Sequence, residues 1–227
     1  MSRLYTVERV QSIWTAVAFS DSRKFAFLQR CGKRWLHPNI YFPTHEHLFK
    51  YIEMNNVSDV HVKPLDNCGG REWVIDVDVD ETENSEMLQL KIDVAVETFK
   101  NFFGSNIARI MHSGNRGVHV WLKIDKFRMS ADKKFRNKYY NVMIPPKTLT
   151  IHFDHNPGSF VECLRRAITE NEKISQRVQL YFKEEPLHVT IIKLWPFVDR
   201  HVFCNNNQIR APFSYNRKGL KFSHQLY

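Results

Sequence analysis

WVIDVDVDE (73–81) is the stretch on which the reading of this chain turns. Trp73, Ile75, Val77 and Val79 alternate with Val74, Asp76, Asp78 and Asp80. Side chains on a strand point to opposite faces in turn, so one face is apolar and the other carries three carboxylates. Residues two apart stand ~7 Å apart along a strand, close enough for their carboxylates to lean onto one cation or onto a pair of cations ~4 Å apart. Without a cation they repel and raise each other's pKa. Hard oxygen donors with no cysteine close by suit Mg²⁺ or Mn²⁺, and make zinc a poor match. The competing reading is a solvated strand face answered by surface lysines. The apolar flanks weigh against it, because buried strands seldom carry acids without a partner. Asp80 falls at the strand end and is set aside.

A second constellation follows in HSGNRGVHVWL (112–122). Gly114 and Gly117 permit a tight turn and close approach of backbone N–H groups to an anion. Arg116 lies inside the turn, and His119 projects from the next strand on the face opposite Val118. Ser113, Arg116 and His119 can therefore converge as a hydroxyl, a guanidinium and an imidazole, a set suited to a triphosphate. The alternative is a hairpin with a polar turn and a satisfied histidine.

Working outward, Thr6 is placed to cap a helix carrying Val7, Val10, Trp14 and Val17. RKFAFL (23–28) and DVHVK (59–63) read as strands, and 44–54 as a helix. Ser85 opens a long helix with Leu88, Ile92, Val96, Phe99 and Phe103 inward, closed by Gly104. Residues 108–113 and 118–124 are strands flanking the GNRG turn, 130–142 is a basic helical segment, and Ser159 with Glu162 has capping-box spacing. LHVTIIKLW (187–195) and PFVD (196–199) read as extended. The expectation is one α+β domain over 1–227, with a mostly antiparallel sheet and flanking helices.

Lys and Arg number 33 against 24 Asp and Glu, a formal charge of +9, which favours a polyanionic partner such as nucleic acid. Cys31, Cys68, Cys163 and Cys204 form no CxxC and are read as free buried thiols in a reducing compartment. No apolar run approaches the ~18 residues of a membrane span, and MSRLYTVERV lacks the apolar stretch of a signal peptide, so an intracellular protein with no membrane is expected.

Together, VIDVDVD and SGNRGVHVWL resemble the small catalytic subunit of archaeal and eukaryotic DNA primases, whose motifs are an apolar strand with DxD and a strand pair reading SGRRGVH. Three further stretches fit in family order: SRKFAF (22–27), PFVD ending at Asp199, and QIRAPFSYN (208–216) with Arg210 in the basic position. The brevity of the chain and WVIDVDVD resemble most closely the primase-like proteins of baculoviruses. The resemblance implies the archaeo-eukaryotic primase catalytic core. It also implies Asp76, Asp78 and Asp199 as catalytic ligands of two Mg²⁺ or Mn²⁺ ions, with Ser113, Arg116, His119 and Arg210 on the nucleotide phosphates. The expected partners are a single-stranded DNA template, nucleoside triphosphates and an accessory large subunit in a heterodimer. The expected place is the host nucleus, and the expected activity is RNA primer synthesis for viral DNA replication. Three departures stand out. Asn115 replaces the first arginine of the usual turn, Asn216 replaces a usual histidine, and ETENSEM (81–87) lacks the Cys and His of the zinc knob of cellular primases. Two other classes keep the same charge and acids: a metal-dependent nuclease, and a non-catalytic nucleic-acid-binding module.

Overall fold

The computed structural model describes residues 3–80, 84–147 and 156–227. Helix α1 (Val7–Ala16) is capped by the Thr6 hydroxyl, which accepts from the Arg9 N–H at 3.2 Å. It is followed by β1 (Phe25–Gln29), β2 (Trp35–Leu36), α2 (His45–Met54), β3 (Val57–Val62) and β4 (Val74–Asp78). Next come α3 (Ser85–Phe103), β5 (Ile107–His112), β6 (Gly117–Leu122) and α4 (Lys133–Val142). The remaining helices are α5 (Phe160–Thr169), α6 (Glu172–Tyr181), α7 (Leu187–Lys193) and α8 (Arg200–Cys204). Short strands end the chain: β7 (Ile209–Arg210), β8 (Tyr215–Asn216), β9 (Lys221–Phe222) and β10 (His224–Gln225).

The strands form two antiparallel four-stranded sheets, ordered β2-β1-β3-β7 and β10-β5-β6-β4, plus the β8-β9 pair. The fold is thus α+β with antiparallel sheets and flanking helices, as the pattern predicts. The alternation in β4 explains the layering. Ile75 and Val77 pack with α3, α5 and the far face of β6, while Val74 packs with Met111 and Trp121 against the first sheet and α1 and α2. Both faces of β4 are therefore buried at its start; Asp76 is still largely buried, and Asp78 is exposed at the strand end. A buried ion pair, Arg23 to Glu72 at 2.7 Å, joins the residues just ahead of β1 and β4 and fixes one sheet against the other.

Several expectations change in detail. Residues 187–193 are helical, not extended. Their β-branched run suggests a strand, but Thr190, Ile191 and Leu194 fall on one helical stripe and are buried, and packing outweighs local preference. By contrast α3 opens at Ser85 as expected, with Asn84 as its cap, whose side chain accepts from the Met87 N–H at 2.8 Å. The buried stripe of α3 runs through Leu90, Val94 and Ala95 as well as Ile92, Phe99 and Phe103, with Leu88 and Val96 at its margin. Cys163 and Cys204 are buried free thiols as expected, whereas Cys31 and Cys68 are exposed. Glu81, Thr82 and Glu83 of the ETENSEM segment lie outside the described residues.

Candidate active site

Cross-strand register brings the two sequence constellations together. β4 pairs with β6 so that Asp76 lies opposite His119 and Asp78 opposite Gly117. His119 Nε2 stands 3.3 Å from Asp76 Oδ1. Gly117 is required here by space. A Cβ at that position would stand 1.9 Å from the Val77 carbonyl oxygen and 2.7 Å from Asp78 Oδ1. The turn before it is closed by the Ser113 N–H donating to the Gly117 carbonyl at 2.8 Å. It is tied to the end of β4 by the Val79 N–H donating to the Arg116 carbonyl at 2.9 Å.

Asp199 reaches the same place from the far end of the chain. Its N–H donates to the Asp76 carbonyl at 2.8 Å, and Val198 bridges Val77, so PFVD runs extended beside β4. Its carboxylate is partly engaged, because Oδ1 accepts from the His201 N–H at 2.6 Å and the Val202 N–H at 3.2 Å as the cap of α8.

The electrostatics separate the two strand carboxylates. Burial pushes the Asp76 carboxyl up, but the His119 imidazole, with Arg210 and Arg71 further off, more than offsets this and leaves it below the usual range. Asp78 moves the other way. Desolvation raises it first, and the charges of Asp76 and Asp199 add to that, only partly opposed by His119 and Arg116. A divalent cation placed there would remove the repulsion that raises Asp78. Two carboxylates on one strand face suit a hard cation. Among the described residues, however, no three His, Cys, Asp or Glu side chains are gathered into a ready metal cage.

The nucleotide-binding expectations fare unevenly. Arg116 is half-buried and lies within electrostatic reach of Asp78. Ser113 is buried, and its hydroxyl accepts from the Asn115 N–H at 3.3 Å, so it shapes the turn from within. Arg210 sits in β7 opposite His61 of β3. Its guanidinium is held by the buried carboxylate of Asp59 and by the Tyr215 carbonyl at 2.6 Å, so Arg210 is an ion-paired residue rather than an open phosphate hook.

Two further residues matter that the sequence reading missed or left open. Asp59 is one; its position in DVHVK, on the same strand face as His61, was a polar alternation of the same kind as DxD. Asn216 is the other. It is buried, and its Nδ2 donates to the Ser113 carbonyl at 3.0 Å. Its Oδ1 accepts from the Lys218 N–H at 3.1 Å and the Gly219 N–H at 3.4 Å. It thereby clamps the 217–219 turn onto the 113–117 turn, where Gly219 lies so close that a Cβ would stand 1.9 Å from the Gly114 carbonyl oxygen.

Known proteins resemble this chain over most of its length. Residues 75–225 match the model of the DNA primase small subunit family. Late expression factor 1 of Orgyia pseudotsugata multicapsid polyhedrosis virus is 45% identical over 227 residues, covering 98% of this chain and 88% of that protein. A protein of Autographa californica nuclear polyhedrosis virus named DNA primase is 44% identical over 225 residues, covering 96% of this chain and 80% of its own length. The matched span takes in the DxD strand, the glycine-flanked turn, Asp199 and Arg210, and the chain belongs to the DNA primase small subunit family.

Proposed function

We propose that the protein makes short RNA primers on single-stranded DNA by template-directed nucleotidyl transfer during viral DNA replication in the host nucleus. What supports the reading is the register that sets Asp76 and Asp78 against His119 and Gly117, with Asp199 hydrogen-bonded to the Asp76 backbone.

In the reaction, the 3′-oxygen of the growing strand bonds to the α-phosphorus of the incoming nucleotide. The bond to pyrophosphate breaks, and the hydroxyl proton passes to water. Asp76 and Asp78 would hold Mg²⁺ or Mn²⁺, with Asp199 offering the carboxylate oxygen not used in capping α8. Held there, the cation would supply acidity to the attacking hydroxyl and offset charge growing on the phosphates. Arg116 faces the triphosphate from the glycine-flanked turn, and its guanidinium can take two phosphate oxygens in one plane. His119 lies 3.3 Å from Asp76 and would present its imidazole from the adjacent strand. Arg210 supplies positive charge at longer range, since Asp59 occupies its guanidinium directly. The excess of Lys and Arg would hold the template by its backbone, and an accessory large subunit would assist initiation.

The test is an incorporation assay with purified protein, single-stranded template, labelled ribonucleotides and Mn²⁺, its products resolved on a gel. Short RNA products that vanish with Asp76→Asn or Asp78→Asn support the reading. Cleavage of the template without nucleotides would indicate a nuclease, and template binding without incorporation a non-catalytic module.

A further inference from the structure

We propose that Trp35, backed by His61 and flanked by His37, is a stacking platform for an unpaired nucleobase, on the sheet face that also carries Arg210. The inference rests on the active-site reading above and adds a binding surface to it.

One face of the first sheet carries the relevant side chains. β3 places His61 between Ala26 of β1 and Arg210 of β7, and β2 places Trp35 at the outer edge, opposite Leu28. The indole meets the His61 ring edge to face, with centroids 4.8 Å apart at 75°. His37, two residues on, lies nearly parallel to the indole, at 6.1 Å and 18°. Arg210, His61, Trp35 and His37 thus form a continuous strip from strand β7 to the sheet edge. The inner end of the strip lies within electrostatic reach of the site: Arg210 helps lower the Asp76 carboxyl, and Arg210 and His119 help lower the His61 imidazole.

Three observations point to a base as the occupant. Trp35 is 39% exposed on an edge strand, on the sheet face opposite the one where Phe25 and Phe27 pack into the core. Both ring nitrogens of His61 are enclosed without a hydrogen-bond partner, and burial holds the ring neutral, so the wall behind the indole is an uncharged aromatic surface. Lys33 and Arg34, immediately before Trp35, are exposed, which sets positive charge beside the aromatic face where a phosphate backbone would run. Aromatic faces flanked by cations are how proteins hold unpaired bases without reading sequence. The base has two possible sources with the same chemistry, the template strand and the incoming nucleoside triphosphate.

The test uses the full chain with Trp35 intact, Trp35→Ala or Trp35→Phe, each checked for an unchanged melting temperature. Binding is measured by fluorescence anisotropy to an oligothymidylate and to an abasic oligonucleotide of equal length, and by equilibrium dialysis to a ribonucleoside triphosphate. Stacking contributes enough that Trp35→Ala should weaken one base-bearing ligand by about 5- to 150-fold. Trp35→Phe should recover most of the loss, and abasic affinity and the salt slope should not move. A loss confined to the oligothymidylate assigns the platform to the template, and one confined to the triphosphate assigns it to the nucleotide. Unchanged affinity for both, or an equal loss for the abasic strand, overturns the proposal. These readouts need no turnover, so they stand apart from whether primers are made.

Discussion

Asn216→Ala tests whether the clamp between the two turns positions the nucleotide site. The substitution removes one donor and one acceptor that serve three backbone groups, at 3.0, 3.1 and 3.4 Å. The first two are ordinary hydrogen bonds and the third is marginal. At roughly 0.5–1.5 kcal/mol net for each ordinary bond, with added cost for a buried Ser113 carbonyl left short of a donor, the loss comes to about 2–3 kcal/mol. For a chain of this length that corresponds to a fall in melting temperature of roughly 4–12 °C. The functional signature is more specific. Ser113 begins the turn that carries Arg116, so loosening it should raise KM for the nucleotide while template affinity holds. Asn216→Asp keeps the acceptor for the 218 and 219 N–H groups but turns an oxygen toward the Ser113 carbonyl, so it should recover little. Calorimetry and steady-state kinetics at fixed template decide the matter. An Asn216→Ala protein with unchanged melting temperature and unchanged KM would refute the clamp, as would weakened template binding with KM intact.

Other consequences follow from the same geometry. Arg210→Met should destabilise the fold by about 3–5 kcal/mol in thermal or urea melts, because it strands the buried Asp59 carboxylate, and Asp59→Asn in the same chain should restore part of the loss. His112 accepts the Gly114 N–H at 2.9 Å on Nδ1, and burial, with His224, Lys221 and His119 nearby, lowers its pKa to about 4. Its folded pKa lies below the unfolded one, so its contribution to stability is complete above about pH 6.5 and is lost as pH falls toward 4. Melting temperatures of His112→Gln across that window should show a shallower acid slope than those of the parent. Template affinity should fall linearly in a plot of log affinity against log salt, with one slope for different sequences, as titrations at several salt concentrations would show.

Much of the fold could be read from the chain because the decisive elements are periodic. β4 and β6 alternate over five and six residues, and α1 and α5 carry side-chain caps at Thr6 and Ser159 where the sequence places them. α7 was misleading because Val189, Thr190, Ile191 and Ile192 favour a strand locally, and only burial against α5 and the core selects the helix. Strands β7 to β10 are two residues each, too short for any period to register. At the site, the proximity of Asp76 and Asp78 follows from strand geometry, whereas the pairing of Arg210 with Asp59 depends on β7 joining β3 across 151 positions of sequence. The family pattern assigns Arg210 to the nucleotide phosphates and gives no sign that Asp59 holds it. Asn216 was legible as a departure from the family pattern, but its hydrogen bonds to a turn 103 residues away were not.

The central claim is that the Asp76 and Asp78 carboxylates serve metal-dependent primer synthesis, and the most direct measurement compares the parent chain with Asp76→Asn and Asp78→Asn. Each change keeps the shape of the side chain and removes its charge. Asp78→Asn also relieves the repulsion from Asp76 and Asp199, so its metal-free melting temperature should hold or rise. On a single-stranded template with labelled ribonucleotides and Mn²⁺, the parent should make short RNA products, and each variant should lose about a thousandfold or more in rate while remaining folded. Near-normal synthesis by either folded variant would contradict the account.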